Sequence, residues 1–143
     1  MSDLPMHYRT TYELQGQASD GNIHIESRPS LAVGTPHDPE RFCPEHLLVA
    51  AAETCMANYV LLIAKHSRLE IVNYESSADG ELEQAADRKF RFKRIVIRPK
   101  ITVADTDERL INKVLEKSHN ACLIARSFNF PVDIESEVIL AER

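Results

Sequence analysis

Three cysteines, Cys43, Cys55 and Cys122, are the residues whose chemistry has to be weighed first. An odd number cannot form a closed disulfide framework. In a reducing compartment a thiol serves as a metal ligand, as a nucleophile, or as a small buried hydrophobe. As a thiolate, cysteine attacks weak bonds such as S–S or O–O. Cys55 stands inside a long apolar run, and Cys122 follows a segment of helical pattern 67 positions later. The plain alternative for each is a core thiol that reacts with nothing.

Histidines open a rival chemistry. Cys43-x-x-His46 and His119-x-x-Cys122 have the spacing of zinc ligand pairs, and together they would make a Cys₂His₂ site. Two-residue spacings of this kind arise often by chance. A chain of 143 residues can also build its core without metal. His7, His24, His37 and His66 read as surface or internally satisfied histidines, and Cys43 alone reads as incidental.

The element that must position Cys55 covers residues 43–66, CPEHLLVAAAETCMANYVLLIAKH. Pro44 suits the first helical position, where a missing N–H costs nothing. Glu45 complements the positive end of the helix dipole, and Lys65 and His66 the negative end. Between them there is no Gly or Pro, and Ala and Leu dominate. Apolar side chains surround most of this helix, which predicts burial on nearly all sides. Glu53, Thr54 and Asn58 argue against a membrane span. Enclosing such a helix takes a sheet on one side and something else on the other, for which a second subunit is a natural candidate.

Around this helix the pattern predicts strands. Residues 7–17 and 22–28 form a hairpin around Asp20-Gly21, with a loop over 29–44 that can hold a short strand at 30–33. Residues 70–83 read as a strand, with a turn or bulge at Asp79-Gly80. Residues 89–103 alternate as a strand with one wet face, and Pro99 suggests an edge or bulge. Asp105-Thr106-Asp107-Glu108 has a capping-box pattern and opens a helix to about Asn120. One or two helical turns over 122–128 and a last strand over 132–140 complete the chain. The order, roughly ββ(β)αββααβ, is α+β with a mostly antiparallel sheet in one domain, residues 1–143.

Composition narrows the function. A net charge of −5 and a pI near 5.7 argue against nucleic acid as a partner. The first eight residues carry Asp3 and Pro5 and no apolar core, so no signal peptide is expected. The expected location is cytoplasmic, without membrane attachment.

The string Pro44-Glu45-His46-Leu47-Leu48-x-Ala50-Ala51-x-x-x-Cys55-Met56 resembles the signature of the OsmC/Ohr family, the osmotically inducible and organic hydroperoxide resistance proteins. Asn120-Ala121-Cys122-Leu123-Ile124, before a final strand, resembles that family's second cysteine element. The resemblance implies an intertwined homodimer whose sheet wraps a long central helix. It implies a thiol peroxidase without a bound cofactor. Cys55 would reduce a small organic hydroperoxide to an alcohol, Cys122 would resolve the sulfenic acid as a disulfide, and an external dithiol or lipoyl-type reductant would restore both. In the family the Glu that matches Glu45 holds an arginine upstream of the Pro-Glu motif. Arg28 and Arg41 are the candidates here.

Overall fold

The computed structural model describes residues 4–16, 19–104 and 108–141. The chain packs as two compact units, Met1–Leu47 and Leu48–Arg143.

The first unit is a three-stranded antiparallel sheet of β1 (Thr11–Leu14), β2 (Gly21–His24) and β3 (Leu31–Val33), in that order. Its strands are shorter than the sequence predicts. Gly21 is no turn residue: it pairs with both Leu14 and Val33 inside β2. A Cβ there would stand 2.2 Å from the Tyr12 ring, so the close approach of that ring explains the glycine. Arg41 fastens the unit. Its guanidinium donates to the Gly21 carbonyl at 2.6 Å and lies 3.7 Å from both Asp20 and Asp38.

Helix α1 (Pro44–His66) begins in the first unit and runs through the second. Ala52, Met56, Val60 and Ala64, four residues apart, form its buried stripe. At the far end Arg68 adopts a left-handed φ of 58°, and Leu69 N–H donates to the Ala64 carbonyl at 2.8 Å. That 6→1 bond closes the helix. Ala50, Ala51 and Leu61 stay exposed, so this chain encloses one face of α1 rather than all of it. Length and composition alone would let α1 cross a membrane. Its buried stripe packs instead into the core of the second unit.

The second unit's sheet is built on β5 (Phe90–Ala104). β4 (Ile71–Gln84) pairs with it antiparallel, and β6 (Val132–Ile134) and β7 (Glu137–Ala141) pair with its other side, parallel and end to end. The final strand is therefore two strands. Pro99 lies in the central strand, not at an edge. It falls between the stretch paired with β6 (95–97) and the stretch paired with β7 (100–104), where a missing N–H breaks no ladder bond on that side. The alternation of β5 is not clean either. Glu81 faces Arg94 and Leu82 faces Phe92, so Lys93 is an extra residue. This bulge lets Phe92 and Ile95 share a face despite odd spacing.

Asp79-Gly80 is no turn, since β4 continues through it. A Cβ on Gly80 would meet Val49 of α1 at 2.6 Å and Phe92 at 2.8 Å, so the glycine lets the helix lie close to the strand. On the solvent face, Arg91 pairs with Glu83, Arg94 with Glu81, and Arg98 with Asp79 and Glu135. The basic stripe of β5 is thus neutralised by neighbouring carboxylates.

Helix α2 (Glu108–Ala121) presents Ile111, Val114, Leu115 and Ser118 to the core. Ser118 is wholly buried, and its hydroxyl donates to the Val114 carbonyl at 2.6 Å. The capping box lies largely at 105–107, outside the described residues. A single turn, α3 (Leu123–Arg126), follows Cys122. Burying Ile95, Ile97, Ile101 and Val103 completely contributes roughly 1.5–3 kcal/mol each.

Candidate active site

Cys122 continues the buried stripe of α2. Ile111, Leu115 and Ser118 precede it at helical intervals, and it is itself 1 % exposed. Its place between α2 and α3 fixes where its sulfur goes. That sulfur lies within hydrogen-bonding reach of Cys55, which sits half-buried at the edge of the α1 stripe, three residues after Ala52. Both thiols are free. Two cysteines 67 positions apart in sequence therefore meet side chain to side chain in the second unit.

The two sulfurs stand in different surroundings. Burial pushes the Cys122 thiol up to about 11; a hydrogen bond to Cys55 and any charge there push the same way. The Ala125 and Ile124 N–H groups, which point back at the sulfur from α3, oppose the shift without cancelling it. At neutral pH Cys122 keeps its proton.

Cys43 is 3 % exposed and belongs to the first unit. It is the N-cap of α1: its carbonyl accepts from Leu47 N–H at 3.1 Å, and its sulfur accepts from His46 N–H at 3.5 Å. Its sulfur also lies 3.3 Å from His46 Nδ1. Cys43 is thus a cap, a role that its position before Pro44 could have disclosed.

The four residues of the zinc reading have other partners. Cys43 and His46 bond to each other, His119 Nε2 donates to the Val132 carbonyl at 2.8 Å, and Cys122 meets Cys55. Among the described residues no three His, Cys, Asp or Glu side chains come together to hold a metal.

The candidate arginines and Glu45 all belong to the first unit. Arg41 is engaged with Asp20, Asp38 and two backbone carbonyls. Arg28 is exposed on the turn after β2 and has no ion pair among the described residues. Glu45 has a buried Oε2 without a hydrogen-bond partner among the described residues.

One polar cluster was not foreseen. Glu53, in the middle of α1, accepts a hydrogen bond from Ser76 of β4. Tyr74, two residues back on the same face, is pushed up to about 12 by burial and then by the charge on Glu53. A carboxylate on an otherwise apolar helix face needs a polar partner. That signal, together with Tyr74 and Ser76 at strand spacing, could have found it. The first unit also holds an open apolar hollow of about 320 Å³, lined by Tyr12, Ile23, Val33, Pro44 and Leu47 among others; no cysteine lines it.

Comparison with known proteins decides the family. The family model described as OsmC-like protein matches residues 37–137, which takes in Glu45, Cys55 and Cys122. The chain belongs to the OsmC-like family. Its fold is similar to that of an OsmC-like protein of unknown function from Vibrio cholerae, with a TM-score of 0.83 at 19% identity over 92% of this chain and 99% of that one. An organic hydroperoxide resistance protein OsmC from Legionella pneumophila gives 0.70 at 16% identity, over 92% and 97% of the two chains. The organic hydroperoxide resistance protein OhrB of Bacillus subtilis gives 0.62 at 18% identity, over 92% and 98%. In sequence, the uncharacterized protein YmaD of Bacillus subtilis is 24% identical over 98 residues, 66% of this chain. The match spans about 65% of YmaD's length. The α+β architecture of this OsmC-like chain is that of the OsmC and Ohr structures.

Proposed function

We propose that this OsmC-like protein reduces small organic hydroperoxides with the Cys55–Cys122 pair, using an external dithiol as reductant. The observation that carries the proposal is the contact between the two sulfurs. The resistance proteins among its structural relatives support the substrate class.

Each step follows from thiol chemistry. The Cys55 thiolate attacks the terminal oxygen of ROOH. The O–O bond breaks, the alkoxide leaves and takes a proton as ROH, and Cys55 becomes a sulfenic acid. Cys122 then attacks the Cys55 sulfur. An S–S bond forms, the S–O bond breaks, and the departing hydroxide leaves as water with the Cys122 proton. A dithiol of the dihydrolipoyl type reduces the disulfide by exchange through a mixed disulfide. No bound cofactor enters this scheme, and reduced thiols suit a cytoplasmic setting.

Cys55 sits mid-helix, far from the helpful end of the dipole, so a nearby cation must favour its thiolate. Glu45 is ten residues away on the same helix, ~15 Å, and cannot meet it directly. We assign Glu45 the task of holding the cation, since its Oε2 lacks a partner. Arg28 is the better candidate because Arg41 already serves Asp20 and Asp38. A second copy of the chain covering Ala50, Ala51 and Leu61 of α1 would complete a homodimer.

The test is hydroperoxide consumption with dithiothreitol or dihydrolipoamide, in wild type and Cys55→Ser. Consumption by wild type and none above background by the variant is expected; equal rates sink the proposal. Arg28→Ala should slow Cys55 alkylation and hydroperoxide consumption together by about tenfold or more, read by iodoacetamide labelling. Arg41→Ala should act on melting temperature instead.

A further inference from the structure

We propose that His119 is a positioning residue for the resolving thiol: its hydrogen bond to Val132 holds Cys122 in place beside Cys55. The inference deepens the thiol-pair reading and rests on it.

β6 is the edge strand beside this part of β5, held by Ile95 N–H to the Pro131 carbonyl at 3.1 Å and by Glu135 N–H to the Ile97 carbonyl at 2.9 Å. In a strand, successive carbonyls point to opposite sides. The Pro131 carbonyl accepts from Ile95 N–H in the ladder, so that of Val132 faces away from β5. An edge carbonyl over buried side chains needs a donor. His119 Nε2 supplies it at 2.8 Å, which fixes the tautomer with the proton on Nε2.

His119 lies in the last turn of α2, three residues before Cys122. Cys122 is the N-cap of the short α3 turn, its side chain makes no capping hydrogen bond, and its φ and ψ of −56° and 110° are not helical. The backbone that aims this sulfur is therefore a junction between two helices. The His119–Val132 bond ties that junction to the sheet on which the Cys55 stripe packs. Loss of the bond leaves Cys55 untouched and lets Cys122 drift. Attack by Cys55 should keep its rate, while closure of the disulfide should slow.

Ellman's disulfide, 5,5′-dithiobis(2-nitrobenzoate), separates the two steps without any peroxide. Cys55 attacks it, giving a mixed disulfide and one nitrothiobenzoate. Cys122 then attacks the Cys55 sulfur, forming the protein disulfide, losing its proton and releasing a second nitrothiobenzoate. The background is Cys43→Ser, which removes the third thiol and keeps a good N-cap. In His119→Phe the second phase should slow about tenfold with the first unchanged, since small misplacements of reacting groups carry penalties of this order. His119→Gln, which can still donate, should recover to within about threefold.

If His119→Phe does not fold, His119→Asn, too short to reach Val132, carries the same test. A second phase at the parent rate in a folded variant overturns the proposal. So does equal slowing of both phases, which marks a merely structural residue. A protein that shows both phases here but ignores hydroperoxides refutes the proposed substrate and leaves the role of His119 standing.

Discussion

The molecule contains two thiol contacts that look alike on paper and differ in what they can do. At the start of α1, Cys43 meets the ring and the N–H of His46. In the second unit, Cys55 meets Cys122. Cys43 is 3 % exposed, and the His46 N–H that donates to its sulfur completes a helix end. The second contact brings together a half-buried sulfur and one whose burial keeps it protonated. A sulfur among nitrogens can cap or be polarised; a sulfur beside a sulfur can also form and break a covalent bond. Residue type and spacing alone do not separate these cases. The neighbour does.

The sharpest way to break this contrast is to remove each sulfur in turn. Cys55→Ser should lower hydroperoxide turnover by about 10³-fold or more, the scale on which a nucleophile matters. Cys43→Ser should stay within about twofold, because serine caps at least as well. Steady-state peroxide consumption reads both, and a large loss in Cys43→Ser would move the chemistry to the helix end.

Cys122→Ser comes next. Turnover should fall about 10- to 100-fold, and a sulfenic acid on Cys55 should persist long enough to be trapped by dimedone and seen by mass spectrometry. Wild-type turnover without an intramolecular disulfide would remove Cys122 from the scheme.

The pH dependence follows from the shift at Cys122. A thiol at about 11 is roughly 0.1% ionised at pH 8, against about a quarter for free cysteine. Iodoacetamide labelling of Cys122 in the reduced protein should rise nearly tenfold per pH unit up to about pH 11. The folded chain holds this proton more tightly than the unfolded chain. Stability from that source is therefore complete below about pH 9 and is lost as pH rises toward 11. A plateau near pH 8.5 would show that Cys122 is not buried against Cys55 as described.

The smallest effect concerns the cap. Cys43→Ala should cost about 1 kcal/mol in a denaturant melt, and Cys43→Ser should cost little. Equal losses would assign the stabilisation to the packing of Cys43 rather than to its hydrogen bond.

Much of this arrangement was legible in the residues. Pro44 and the Ala/Leu run placed α1, and the spacing of Ile111, Val114 and Leu115 placed α2. Alternation placed the strands on either side. The cysteine motifs placed Cys55 and Cys122 on elements that a family resemblance could join. What escaped was set by partners distant in sequence. Gly80 and Gly21 read as turns because a glycine looks the same whether it bends the chain or admits a neighbour; Val49 and Tyr12 supply the difference. Pro99 read as an edge because the gap between β6 and β7 is invisible along the chain. Glu53 needed Ser76, and His119 needed Val132, before either could be given a task.

The most direct measurement of the central claim is disulfide mapping after a single turnover. Reduced protein is treated with one equivalent of cumene hydroperoxide, quenched with iodoacetamide, digested and analysed by mass spectrometry. The account predicts a peptide pair joined through Cys55 and Cys122, one cumyl alcohol per disulfide, and Cys43 recovered without a disulfide partner. Unconsumed hydroperoxide with no disulfide, or a disulfide through Cys43, would contradict it.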